Sequence, residues 1–117
     1  MNQQELEDRL MDFAAIIIET IGLLPANTAG KHLAGQMIRS GTAPALNYGE
    51  ARAAESRRDF IHKNKIILKE LRETFICYKI INRANLVPNQ KAFIETSMLE
   101  NNELVSVFVK TLKTLNK

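Results

Sequence analysis

SRRDFIHKNKIILKELRETFICYKIINR, residues Ser56 to Arg83, carries two stripes whose spacing decides the class of fold. Phe60, Ile67, Leu71, Thr74, Tyr78 and Ile81 recur at steps of three, four and seven, which places them on one face of an α-helix; no β-alternation competes. Arg58, His62, Lys65, Lys69, Arg72, Lys79 and Arg83 form the second stripe, at steps of four, three, four, three, seven and four. Arg58 and Phe60 stand roughly 200° apart around the helix axis, so the cationic stripe lies opposite the apolar one. The segment opens on Ser56-Arg57-Arg58-Asp59, a capping box with Asp in the acidic place, whose hydroxyl and carboxylate can satisfy unpaired backbone N–H groups.

On either side the same period recurs. A helix is expected over residues 4–23, with Leu6, Leu10, Phe13, Ile17 and then Ile21 or Leu24 inward, closed by Gly22 and Pro25. A second is expected over 28–53, capped by Asn27 or Thr28 and carrying Leu33, Met37, Ser40 and Ala43 or Pro44 inward; Pro44 should bend or interrupt it. The helix quoted above spans 56–82 and ends in the loop NRANLVPN, whose Pro88 suits the start of a fourth helix over 89–115. There Ile94, Met98, Asn101, Val105, Phe108, Leu112 and Leu115 alternate four and three. Four amphipathic helices with short connections predict an all-α fold, an up-and-down antiparallel four-helix bundle, in a single domain over 1–117.

Composition narrows the function classes. The chain has 117 residues, 45% of them apolar, enough for one continuous core, and a formal charge of +3 that neither demands nor excludes a polyanionic partner. The charge is unevenly placed. Residues 1–27 hold five acids against one base, a net of −4, whereas residues 52–83 hold nine bases against four acids, a net of +5. A single cysteine, Cys77, excludes an intrachain disulfide and a multi-cysteine zinc site, which suits a reducing compartment. The longest apolar run, AAIII at 14–18, falls far short of the roughly 20 residues that span a bilayer. The acidic, polar start MNQQELEDRL is unlike a signal peptide, so a cytoplasmic protein with no membrane partner is expected.

Catalytic constellations are missing. Asp59 and His62 have the i,i+3 spacing of carboxylate-bridged di-metal bundles, but such sites need a second pair and further carboxylates on facing helices. The other histidine, His32, has Ala29 three residues before it. Cys77 sits in an apolar stretch beside Tyr78 and reads as an inert thiol. Ser40 and Ser56 have no His-acid relay, and GTAPALNYG lacks the lysine and spacing of a phosphate loop. No metal, cofactor or small-molecule substrate is expected, and no enzyme.

Residues 36–74, QMIRSGTAPALNYGEARAAESRRDFIHKNKIILKELRET, strongly resemble the S23 family, four-helix bundles named after proteins encoded in intervening sequences of bacterial 23S ribosomal RNA genes. The matching elements are RSGT at Arg39 to Thr42, Asn47, Glu50-Ala51, Ala54-Glu55-Ser56, DFIHK at Asp59 to Lys63, Lys69-Glu70 and Glu73-Thr74. Departures fall at Ala43 to Leu46, where the family has Ser and then a small residue before the Asn, and at Ile76-Cys77, where it has an aromatic pair. The resemblance implies an up-and-down bundle, assembly into homo-oligomers and pentamers in particular, and no catalytic residues. It also implies a link to nucleic acid, because the accessory protein of diversity-generating retroelements has a similar fold.

Physically, Ser40, Gly41 and Ala43 are small enough to let two helices approach closely. Arg39, Asn47, Glu50, Lys69, Glu70 and Glu73 read as a polar network between helices two and three or between subunits, since a buried Arg needs a carboxylate, while solvated i,i+4 pairs such as Lys69 with Glu73 are expected of the exposed members. The cationic stripe, Arg58, His62, Lys65, Lys69, Arg72, Lys79 and Arg83, is ~38 Å long at the α-helical rise and can follow a phosphate backbone, gaining affinity by counterion release. Two readings stand: a bundle that binds RNA or DNA on this face, or a protein-interaction scaffold for which the same face is a subunit or partner interface.

Overall fold

The structure, a computed structural model, describes residues 1–116. Four helices follow one another: α1 (Gln3–Leu23), α2 (Thr28–Arg52), α3 (Arg57–Arg83) and, after a 3-10 turn over Pro88–Gln90, α4 (Lys91–Leu115). Each of the first three starts on a side-chain cap, because the first N–H groups of a helix have no partner within it. Asn2 accepts from the Glu5 N–H at 2.8 Å, Asn27 from Gly30 at 2.9 Å and Ser56 from Asp59 at 3.0 Å. Asn27, not Thr28, is therefore the cap of α2. The end of α3 is a Schellman turn: Asn85 takes the left-handed conformation (φ 52°), Leu86 N–H reaches Ile81 O and Asn85 N–H reaches Asn82 O. Asparagine tolerates that backbone better than most residues with a side chain.

The helices stand in chain order around one core, α1 beside α2, α2 beside α3, α3 beside α4, and α4 closing on α1; α1 and α3 lie on one diagonal. Side-chain pairings show the antiparallel run of α2 and α3, with Arg39 beside Glu70 and the later Glu50 beside the earlier Lys63. The result is an up-and-down four-helix bundle of 44 × 21 × 20 Å. Leu10, Phe13, Ile17, Met37, Ile67, Leu71, Tyr78, Leu104 and Phe108 are fully buried, and Phe108 meets Tyr48 edge to face across the core at 6.0 Å.

Small residues set the seam between α1 and α2. A Cβ added at Gly41 would stand 2.5 Å from Ile17 Cγ1, so α1 and α2 approach as they do only because position 41 has no side chain. Gly30 is similarly constrained by the Pro25 carbonyl, 1.8 Å from where a Cβ would lie. Pro44 does not interrupt α2, which runs unbroken from Thr28 to Arg52 with Pro44 buried. A proline inside a helix costs about 3 kcal/mol locally; packing against α1 and α3 on both sides of it outweighs that cost.

The core differs from the apolar stripes in its polar members. Thr20, rather than Ile21 or Leu24, continues the buried face of α1, and its hydroxyl lies 2.7 Å from the Tyr78 hydroxyl. Thr20 donates to Ile16 O at 2.9 Å, so the shared proton comes from Tyr78. The Ser40 and Thr74 hydroxyl oxygens are 2.8 Å apart, and Thr74 also donates to Glu70 O. In α4 the buried positions include Ser97 and Leu104, each one residue before the expected Met98 and Val105, which are half-buried. The Ser97 hydroxyl folds back on Phe93 O at 2.8 Å, which is why a polar residue is tolerated there. Asn64 fills the place skipped between Phe60 and Ile67, donating to Phe60 O, and Asn101 donates across the core to Leu71 O.

Candidate nucleic-acid interface

The Ser56 cap and the buried face from Asn64 to Ile81 fix the rotation of α3, and that rotation decides what its outer face presents. Arg58, His62, Lys65, Lys69, Arg72, Lys79 and Arg83 are all exposed. Among the described residues none of the seven takes part in an ion pair; the cations that do are Arg9, Arg39, Arg52 and Lys63. Lys79 alone is engaged, its Nζ lying 4.7 Å from the centre of the Phe75 ring. The neighbouring bases are spent inward: Lys63 pairs with Glu50 at 3.5 Å, and Arg57 donates to the Leu115 carbonyl.

The step of seven from Arg72 to Lys79 is not empty. The position it skips is Ile76, exposed in the middle of the stripe, with Ile80 beside it. The outer face of α3 thus has two parts, a cationic run from Arg58 to Arg72 and a mixed apolar and cationic patch from Ile76 to Arg83. The gap in the spacing was the available signal for that division.

The polar network expected over Arg39, Asn47, Glu50, Glu70 and Glu73 divides as well. Arg39 bridges Glu70 at 2.9 Å and Glu73, joining α2 to α3 at the rim of the bundle rather than in its interior. Glu50 lies outside that network, paired with Lys63, and Asn47 turns back to Ala43 O within α2. Glu73, four residues on from Lys69, meets Arg39 instead, so the expected Lys69–Glu73 pair does not form and Lys69 takes part in no ion pair among the described residues.

Sequence reading missed the links of α1. Arg9 grips Glu100 through Nε at 2.8 Å and through a second nitrogen at 2.6 Å, and reaches Glu103 at 2.7 Å. The Glu100 hydrogen bond, above all, raises the Arg9 pKa further. Arg52 similarly reaches Gln4 and Glu7. Elsewhere, burial pushes the Cys77 thiol and the Tyr48 and Tyr78 phenols up from their ordinary values. Cys77 is buried and reduced in reactivity by that shift. Asp59 and His62 are both exposed, and among the described residues no three His, Cys, Asp or Glu side chains gather into a metal-binding group.

These features define an all-α bundle with an unpaired cationic ridge along one helix. A crystal structure of a protein with unknown function from the S23 ribosomal protein family of Bacteroides thetaiotaomicron has the same fold. It superposes with a TM-score of 0.82 at 27% identity, over 97% of this chain and 99% of that one. The resemblance to the S23 family carried by residues 36–74 therefore extends in fold and sequence along nearly the whole chain. No family model and no curated protein matches the sequence. Among the described residues no helix is long and apolar enough to cross a membrane.

Proposed function

We propose that this protein is a non-enzymatic, self-assembling four-helix bundle of the cytoplasm that binds RNA or DNA along the outer face of α3. The observation that carries the reading is the run Arg58, His62, Lys65, Lys69 and Arg72, exposed in line and free of carboxylate partners. At the α-helical rise the run is ~21 Å long. Cations held rigidly by a helix and not neutralised from within the fold release counterions from a phosphate backbone when they bind it. No aromatic ring is exposed beside them, since Phe60 and Phe75 are half-buried, so phosphates rather than bases are contacted.

Fluorescence anisotropy of labelled structured RNA and duplex DNA, titrated at several salt concentrations, tests the reading. Four to five phosphate contacts give a slope of log affinity against log salt of about −4 on duplex DNA. A Lys65→Glu, Lys69→Glu, Arg72→Glu variant should lose most of the affinity and flatten the slope by about 3. Binding that ignores salt, or equal binding by both proteins, removes this run as a phosphate site. The scaffold reading has its own support in Ile76 and Ile80, which have no use on a phosphate-binding face.

A further inference from the structure

Two helices on one diagonal of the bundle expose apolar side chains beside charges of opposite sign. On α1, Met11 (48% exposed) and Ile18 (57%) stand beside Asp12 and Glu19, both exposed and outside every ion pair among the described residues. On α3, Ile76 (52%) and Ile80 (46%) stand beside Lys79 and Arg83. Apolar side chains are exposed on α2 and α4 too (Leu46 68%, Leu99 69%); what matches the α1 pair to the α3 pair is the flanking charge of opposite sign, which a complementary protein face would neutralise. A nucleic acid would complement the bases on α3 but neither isoleucine, and it would be repelled from α1.

We infer that the α1 face of one copy docks on the Ile76–Arg83 face of α3 of the next copy. The inference rests on the self-assembly proposed above and names its interface. The partner is a second copy because one chain carries both halves of the match: two apolar side chains with two acids on α1, and two apolar side chains with two bases on α3. The two faces point to opposite sides of the bundle, since α1 and α3 lie on one diagonal and meet only through the core. Two copies therefore cannot satisfy both faces by pairing with each other through a single two-fold axis. The contact is head-to-tail, and it propagates into a closed ring or an open chain. It leaves Arg58 to Arg72 uncovered, so assembly would align the cationic runs of successive subunits as a repeated surface.

The test is the mass of the full chain by light scattering behind size exclusion, with helicity checked by circular dichroism. Asp12→Lys with Glu19→Lys sets like charges against Lys79 and Arg83 of the neighbour, and assembly should then require about tenfold more protein or fail. Lys79→Glu with Arg83→Glu should do the same from the other side. All four changes in one chain exchange the signs and should restore assembly, a rescue that a role in folding alone would not produce. A monomeric wild-type protein overturns both the self-assembly and the interface. An oligomer of unchanged mass in either two-residue variant, or no rescue in the four-residue variant, overturns the interface and leaves self-assembly standing on other faces.

Discussion

The inner and outer faces of α3 are built to opposite rules. On the inner face Leu71 is fully enclosed, and the hydroxyls of Thr74 and Tyr78 have partners on α2 and α1. On the outer face seven cationic or imidazole side chains stand in water outside every ion pair among the described residues, whereas Arg9, Arg39, Arg52 and Lys63, at the seams between helices, are paired. The inner face is enclosed by the fold, although the buried Asn64 carboxamide oxygen has no partner there; the outer one is left to solvent, and it is the face on which binding is proposed above. Changes inside should therefore cost stability, and changes outside should cost binding.

The largest expected effect is on the inside. Leu71→Ala removes a wholly buried side chain between helices and should cost roughly 2–5 kcal/mol, depending on how far the cavity collapses. Urea unfolding followed by circular dichroism measures it. The variant, below its unfolding midpoint, should still bind nucleic acid with the wild-type salt slope. A slope that changed with the core would break the separation of the two faces.

Much of this inner face was legible, and the reasons are local. Ser56 and Asn27 advertise helix starts by side-chain chemistry, and the apolar period needs no knowledge of neighbours. Thr20 as a core residue was not legible, because its place depends on a tyrosine hydroxyl 58 residues away in the chain. Arg9 is similar, with partners more than 90 residues distant that no spacing rule connects. Pro44 does not interrupt its helix: its local penalty is a sequence property, whereas the packing that overrides it belongs to three helices at once. The cationic stripe was read correctly as to exposure, but the meaning of its one long step appeared only when Ile76 was placed in it.

A smaller effect, with a pH signature, belongs to Tyr78. Tyr78→Phe removes the donor to Thr20 and should cost about 1 kcal/mol, since Thr20 keeps its own bond to Ile16 O. Burial raises the phenol from its ordinary 10.0 and the Cys77 thiol from its ordinary 9.0. A raised acid pKa in the folded state means that the unfolded chain loses its proton first. The stabilisation is thus complete below the unfolded value and is lost as pH rises toward the folded one. Stability should fall from near pH 9, where unfolded Cys77 ionises, and more steeply above pH 10 with Tyr78 and Tyr48. In a series of urea curves from pH 7 to 11, Cys77→Ala should delay the onset and Tyr78→Phe should flatten the upper part. An unchanged alkaline limb in both would mean that these groups are not protected as their burial requires.

The smallest expected effect is the one that most sharpens the contrast. Lys65→Glu, Lys69→Glu and Arg72→Glu replace exposed side chains that make no ion pair among the described residues, on a helix whose ends are capped elsewhere. Their combined effect on unfolding free energy should stay within about 0.5 kcal/mol, the range of ordinary surface substitutions. Its sign is informative. Lys65, Lys69 and Arg72 repel one another at steps of four and three along the helix, so reversing all three leaves that repulsion in place with the other sign. The new acid at 69 also stands four residues from Glu73, which disfavours it slightly. A cost well above this range would show that the stripe helps to hold the bundle together, and the loss of nucleic-acid binding in the same variant would then have to be measured again with changes to uncharged Gln.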